Sequence, residues 1–167
     1  MKTPPSLAKV TELLAYNPET GIFRWLVAPG NGGRVRAGDV AGGIGDDGYV
    51  RIKIDGQKFR AHQLAWLVMT GAWPAHQLDH RDRARANNRW SNLRAATRSQ
   101  NACNMAVQSH NKCGLKGVSW HKKDRKWQAR ITKSGRVYWL GYFKSADLAH
   151  QAYCGAAREI HGEFAGV

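Results

Sequence analysis

Acidic residues are scarce in this chain: 12 Asp and Glu stand against 26 Lys and Arg among 167 residues, a formal charge of +14. Solubility does not require such an excess, so a polyanionic partner is expected. Cysteine is sparse as well. Cys103, Cys113 and Cys154 form an odd set without framework spacing, which excludes a disulfide scaffold and fits free thiols in a reducing compartment. Long hydrophobic runs are missing: the longest, Leu64 to Met69, is far short of a bilayer span, and the start MKTPPSLAKV has no apolar signal core. The expectation is an intracellular protein with no membrane role. Repeat periods and low-complexity tracts are also lacking. What the chain does hold is apolar material, 43% hydrophobic and 10% aromatic with 7 Trp, more than a disordered basic tail carries. The charge therefore rides on a folded body.

In the N-terminal third, Leu7, Val10, Leu13 and Leu14 share one side of a helix predicted over Leu7 to Tyr16, ended by the turn chemistry of Asn17-Pro18 and Thr20-Gly21. Short strands follow at Ile22 to Leu26 and Tyr49 to Ile54, with Asp55-Gly56 as a hairpin turn before the returning Lys58 to Arg60. Gly42-Gly43-Ile44-Gly45 invites comparison with a phosphate-cradling loop, but no buried parallel strand precedes it and no helix opens after it, so no nucleotide cofactor is expected. His62 to Thr70 reads as a buried helix stopped by Gly71, with His62 packed behind a neighbouring site.

The chemistry concentrates in LDHRDRARANNRWSNLRAATRSQNACN, residues 78–104. Asp79-His80 closes a short apolar strand and pairs a hard oxygen ligand with the side chain best suited to general-base work near neutral pH. Asn92 to Thr97 reads as a return strand across a long basic turn. Thr97 and Gln100 have capping-box spacing, so a helix starts there with Asn101 in its first turn. Strand, strand and helix then converge Asp79, His80, Asn92 and Asn101.

These residues resemble the HNH nucleases with the ββα-metal motif, in the variant found in phage homing endonucleases. The intervals His80 to Asn92 to Asn101, the leading Asp-His pair and the words AHQLAW, TGAWP, LDH, NNRWSNLR and T..QN carry the likeness over roughly residues 20 to 105. Asn101 stands where the name-giving family has its final His, as in the homing members. The resemblance implies a bacterial or phage-encoded enzyme, cytoplasmic or nucleoid-associated. An Asp/Asn oxygen pair with water suits one Mg²⁺ or Mn²⁺ better than Zn²⁺. Phosphodiester hydrolysis gives the residue types their reason: His80 deprotonates a water, Asp79 and Asn101 hold the cation against the scissile phosphate, and Asn92 orients the His80 ring through side chain or backbone. Arg81, Arg83, Arg85, Arg89, Arg94 and Arg98, with only Asp82 interspersed among the early ones, are expected on flanking phosphates.

After a polar stretch from Gln108 to Gly114, composition shifts to dense Lys, Arg and Trp. Strands are predicted at Val118 to His121, Lys126 to Thr132 and Arg136 to Phe143, the last two joined by Lys133-Ser134-Gly135. A helix follows from Ser145 to Gly162 with Leu148, Ala149, Ala152, Tyr153, Ala156, Ala157 and Ile160 on one face. This segment resembles the ethylene-response-factor type of DNA-binding domain, through GV, KWQARI, LGYF and AAREIHGEFA. Alternation turns Trp127, Ala129 and Ile131, with Tyr138 and Leu140, toward the helix, and Lys126, Gln128, Arg130, Thr132 and Trp139 outward. Gln128 and Arg130 are the expected base readers, with Lys122, Lys123, Arg125, Lys133 and Arg136 on phosphates.

The whole is read as an α+β protein: a nuclease domain at 1–106 with a small antiparallel sheet and the ββα-metal motif, a linker at 107–115, and a three-stranded antiparallel sheet on one helix at 116–167. The function expected is metal-dependent cleavage of double-stranded DNA, with monomer or dimer left open. The alternatives are a sequence-specific DNA-binding regulator with a vestigial nuclease motif, a basic RNA-binding structural protein, and a zinc site built from Cys103, His110, Cys113 and His121.

Overall fold

A computed structural model describes residues 3–30, 35–105, 107, 111–133 and 135–167. It separates into two compact units, Met1–Ala95 and Ala96–Val167. The chain is α+β in both.

In the first unit, Ser6 caps helix α1 (Leu7–Leu13) by accepting a hydrogen bond from the Lys9 amide at 3.2 Å. The helix stops short of the predicted Tyr16 because Leu14 is already extended, at φ −134° and ψ 134°. Strand β1 (Leu14–Asn17) instead pairs antiparallel with β2 (Ile22–Trp25), and the Asn17 carboxamide closes their turn by accepting from the Glu19 and Thr20 amides. A second sheet runs in the order β3 (Gly43–Ile44), β4 (Val50–Ile54), β5 (Gln57–Arg60), all antiparallel. The β4–β5 turn is the Asp55-Gly56 pair with φ of 48° and 82°, the left-handed geometry expected of a tight hairpin. Helix α2 (Ala61–Thr70) ends at Gly71, φ 79°. Its Leu64 and Leu67 meet Val10, Leu14, Phe23, Trp25, Ile52, Ile54 and Leu93 in one core. Each large side chain there contributes about 1.5–3 kcal/mol by leaving water. Upon this core sits the two-stranded pair β6 (Gln77–His80) and β7 (Leu93–Ala96), with a 3-10 turn at Trp90–Asn92 leading into the latter.

The second unit opens with α3 (Arg98–Asn104), whose N-terminus carries the capping box predicted from Thr97 and Gln100. Its last carbonyls are met by the Lys116 ammonium, which bonds Cys103 O, Met105 O at 2.8 Å and, from the chain end, Gly166 O at 3.1 Å. Of the expected linker, residues 106 and 108–110 lie outside the described residues, and 111–115 form a turn closed by Asn111 Nδ2 donating to Leu115 O at 2.8 Å. Strands β8 (Val118–His121), β9 (Lys126–Lys133) and β10 (Arg136–Phe143) form an antiparallel sheet in the order β10-β9-β8. Ser134, in the predicted β9–β10 turn, lies outside the described residues. Helix α4 (Ala146–His161), capped by Ser145, lays Ala149, Tyr153 and Ala157 against Val118, Ala129 and Ile131. Gly117 makes that approach possible: at φ 74°, any Cβ there would stand 2.0 Å from the Tyr153 ring. Leu148, expected on the buried helix face, is 48% exposed at the helix start, whereas Tyr138 stands opposite buried Ile131, on the helix side as expected, and is 44% exposed there. A bulge between Trp139 and Gly141 shifts the β10 register between them, so simple alternation does not carry through the strand.

Candidate active site

The β6–β7 connection builds the centre of the site. His80 ends β6 buried, and its Nε2 lies 3.3 Å from Asn88 Oδ1. Burial pushes the His80 pKa below the ordinary histidine value, against the opposing effects of the Asn88 hydrogen bond and the charges of Asp82 and Asp79. The ring is thus held neutral at pH 7, the form a general base needs. Asn92 is buried as well, but its side chain is committed elsewhere. Its Oδ1 accepts from the Asp82 amide at 3.0 Å, and its Nδ2 donates to Asp82 Oδ1 at 2.9 Å and Asn87 O at 2.8 Å. Asn92 O accepts from the Arg81 amide at 2.9 Å. Asn92 therefore ties the basic turn shut next to His80, and the side chain on the ring is Asn88. Asp82 belongs to the same knot: burial acts to raise its pKa, and hydrogen bonds from Asn87, the Ala84 amide and Asn92 outweigh that and lower it.

Asp79 precedes His80 and is buried, and Arg94 on the neighbouring strand β7 donates to its Oδ2 through Nε at 2.8 Å and Nη2 at 2.6 Å. Arg94 was expected among the phosphate contacts. At 6% exposure and engaged by this carboxylate, it serves the interior of the site. Arg81, Arg83, Arg85, Arg89 and Arg98 are exposed, as phosphate contact requires. Asn101 occupies α3, in the second unit, with its amide bonded to Thr97 O at 2.9 Å.

Around His80, His62 packs behind the site as its sequence position predicts, while Tyr49 and Arg60 complete the surroundings. His62, from α2, meets the His80 ring edge-on at 5.0 Å, and its buried Nδ1 has no hydrogen-bond partner among the described residues. Burial, helped by the His80 charge, depresses its pKa to about 3. Tyr49 lies 5.1 Å from the His62 ring and 5.9 Å from the His80 ring, and the guanidinium carbons of Arg60 and Arg85 approach the Tyr49 ring centre to 4.5 and 5.1 Å. Arg85 also donates to Asp47 O at 2.9 Å. A cationic, aromatic wall thus flanks His80. The basic alternation of Arg51, Lys53, Lys58 and Arg60 along the β4–β5 hairpin was its sequence signal.

In the second unit, Lys122, Lys123, Arg125, Lys126, Arg130, Thr132, Lys133, Arg136 and Trp139 are exposed and Gln128 is half-buried, with Gln128 Nε2 donating to Ser119 Oγ at 3.0 Å. Arg130 and Trp139 are cross-strand partners. Trp120 is 46% exposed and meets Trp127 edge-on at 5.1 Å. Of the zinc alternative, His110 lies outside the described residues, Cys113 Sγ donates to Asn111 Oδ1 at 3.0 Å, and Cys103 Sγ is 3.5 Å from His161 Nδ1. Among the described residues no three His, Cys, Asp or Glu are grouped to hold a metal.

Comparison with known proteins places the same stretch in context. A family model described as HNH endonuclease matches residues 59–103, which include Asp79, His80, Asn88, Asn92, Arg94 and Asn101. Protein 3.8 of Escherichia phage T7 is 34% identical over 109 residues, covering 64% of this chain and 88% of that protein. An uncharacterized HNH endonuclease, L560, of Acanthamoeba polyphaga mimivirus is 32% identical over 124 residues, 73% of this chain and 63% of that protein. Among solved structures, one on DNA binding and cleavage by the HNH homing endonuclease I-HmuI is 20% identical, with a TM-score of 0.42 over 89% of this chain and 85% of that one. The stretch around the buried His80 is thus an HNH endonuclease domain, the kind of domain that hydrolyses nucleic-acid phosphodiester bonds.

Proposed function

We propose that the protein is a divalent-metal-dependent endonuclease of the homing or mobile-element type, cutting double-stranded DNA with His80 as general base. The observation that carries this reading is the buried, neutral His80 at the end of β6, next to Asp79 and walled by Tyr49, Arg60 and Arg85. The donor chemistry fits a hard cation: Asp79 brings a carboxylate and Asn101 an amide oxygen. Two such ligands suit Mg²⁺ or Mn²⁺, which retain several waters, and poorly suit a closed zinc site. When bound, the ion supplies neutralisation of charge developing on the phosphate and the leaving 3′-oxygen. The chain's own groups do the rest. His80 accepts a proton from the attacking water, Asn92 fixes the turn that carries the exposed arginines, and Arg60 and Arg85 present positive charge toward a strand lying at His80.

The second unit supports the targeting half of the proposal. Its sheet exposes Arg130, Thr132 and Trp139 on the face away from α4, ringed by Lys122, Lys123, Arg125, Lys133 and Arg136, in keeping with the resemblance to an ethylene-response-factor domain laid into a major groove. A DNA-binding regulator with a dead nuclease motif would have no use for a desolvated histidine beside a buried carboxylate. Incubation with plasmid or phage DNA in Mg²⁺ should yield cut product that EDTA abolishes; intact DNA across Mg²⁺ and Mn²⁺ would return the reading to the regulator.

A further inference from the structure

The Asn88 carboxamide can be oriented from its own contacts. Its Nδ2 donates to Ala86 O at 3.1 Å, which turns Oδ1 toward His80 Nε2 at 3.3 Å. An amide oxygen only accepts, so the hydrogen in that contact belongs to Nε2. A neutral imidazole carries one N–H, and the lone pair that can take a proton is then on Nδ1. We propose that Asn88 is a positioning residue for the cleavage reaction, fixing His80 in the Nε2–H tautomer so that Nδ1 is the basic atom. This rests on His80 being the general base.

The backbone around Asn88 is held by a part of the protein far away in sequence. Tyr16 Oη donates to Asn88 O at 2.7 Å, and the Trp90 amide donates to Pro18 O at 2.9 Å. Gly21, at φ 73°, brings the β1–β2 turn so close that a Cβ there would stand 2.4 Å from Asn88 C and from Arg89 N. Asn88 itself is 2% exposed. The N-terminal hairpin therefore clamps the peptide on both sides of the residue that faces the ring. Asn92 is not placed for this role, because its side chain is spent on Asp82 and Asn87.

The test is a two-bond ¹H–¹⁵N correlation spectrum of the full chain with ¹⁵N-labelled histidine at neutral pH, the His80 signals being identified by their loss in His80→Ala. Wild-type protein should show His80 with a protonated Nε2 and an unprotonated Nδ1. Asn88→Ala should lose that single tautomer and cut DNA roughly tenfold or more slowly at unchanged DNA affinity. Asn88→Asp, which keeps an acceptor oxygen, should keep the tautomer and cut faster than Asn88→Ala. A wild-type spectrum with Nδ1 protonated overturns the proposal without need of any variant, as does an Asn88→Ala protein with unaltered tautomer and rate. Normal cutting by His80→Ala removes the base assignment itself, a separate result from a wrong tautomer in an enzyme that still needs His80.

Discussion

Replacing Arg94 with Met tests how the site is held together. Its hydrogen bonds of 2.8 and 2.6 Å go to Asp79 Oδ2, and both side chains are 6% exposed. Removing the cation leaves a carboxylate in the interior with its main charge partner gone, and breaking a buried pair in this way costs roughly 3–5 kcal/mol. For a unit of this size, that is about 12–40 °C of melting temperature at roughly 4–8 °C per kcal/mol, enough to unfold a marginal domain. Removing both charges, as Asp79→Leu with Arg94→Met, should recover most of the loss, because neither ion then remains desolvated. Native-state hydrogen exchange of the β4 amides reads the first unit within the full chain, through Ile52 at the centre of its core. The expected result is a large loss for Arg94→Met, a comparable one for Asp79→Leu, and a coupling term of several kcal/mol in the double-mutant cycle. A change under about 0.5 kcal/mol for Arg94→Met, the range of an ordinary surface substitution, would refute the buried pair and return Arg94 to the phosphate contacts.

His62 makes stability depend on pH. Its folded pKa of about 3 lies below the ordinary 6.5, so the unfolded chain takes the proton first as pH falls. Nothing is lost above 6.5, and below it stability drops by about 1.4 kcal/mol per pH unit, or about 2 kcal/mol at pH 5. Denaturation midpoints of wild type and His62→Leu between pH 7.5 and 5 should diverge in slope by nearly one proton; parallel curves would show that His62 titrates normally. In the second unit, Arg130→Ala should cost about 1–3 kcal/mol on a preferred DNA site and little on random duplex. Replacing Lys122, Lys123, Arg125, Lys133 and Arg136 together should weaken both alike and flatten the salt dependence by about 0.9 for each phosphate no longer neutralised. Titrations at several salt concentrations separate the two, and equal weakening on both duplexes for Arg130→Ala would remove it from base reading.

Local chemistry was legible where it is decided locally. The Thr97–Gln100 capping box, the Asp55-Gly56 turn, the Gly71 terminator and the strands of the second unit stand where residue types put them. The helix at Leu7 ends short of the predicted Tyr16 although Leu14 and Ala15 suit a helix intrinsically, because the pairing of β1 with β2 makes them a strand. Arg94 looked like its neighbours because burial of one arginine in six depends on which carboxylate the adjoining strand presents. Asn88 went unnoticed for a related reason. Its importance is conferred by Tyr16 and Gly21, some 70 residues earlier, and no periodicity connects them. Tyr49 likewise reaches His80, and Arg60 the Tyr49 ring, only through the fold of the β4–β5 hairpin.

The measurement that bears most directly on the account is single-turnover cleavage of DNA in Mg²⁺ by His80→Ala, with DNA affinity followed in parallel. Loss of a general base slows the chemical step by roughly 10²–10⁴-fold. His80 is buried within the site, and binding is proposed to draw on the exposed arginines and the sheet of the second unit, so affinity should be nearly unchanged. A rate within a few-fold of wild type would contradict the central claim that this histidine activates the attacking water.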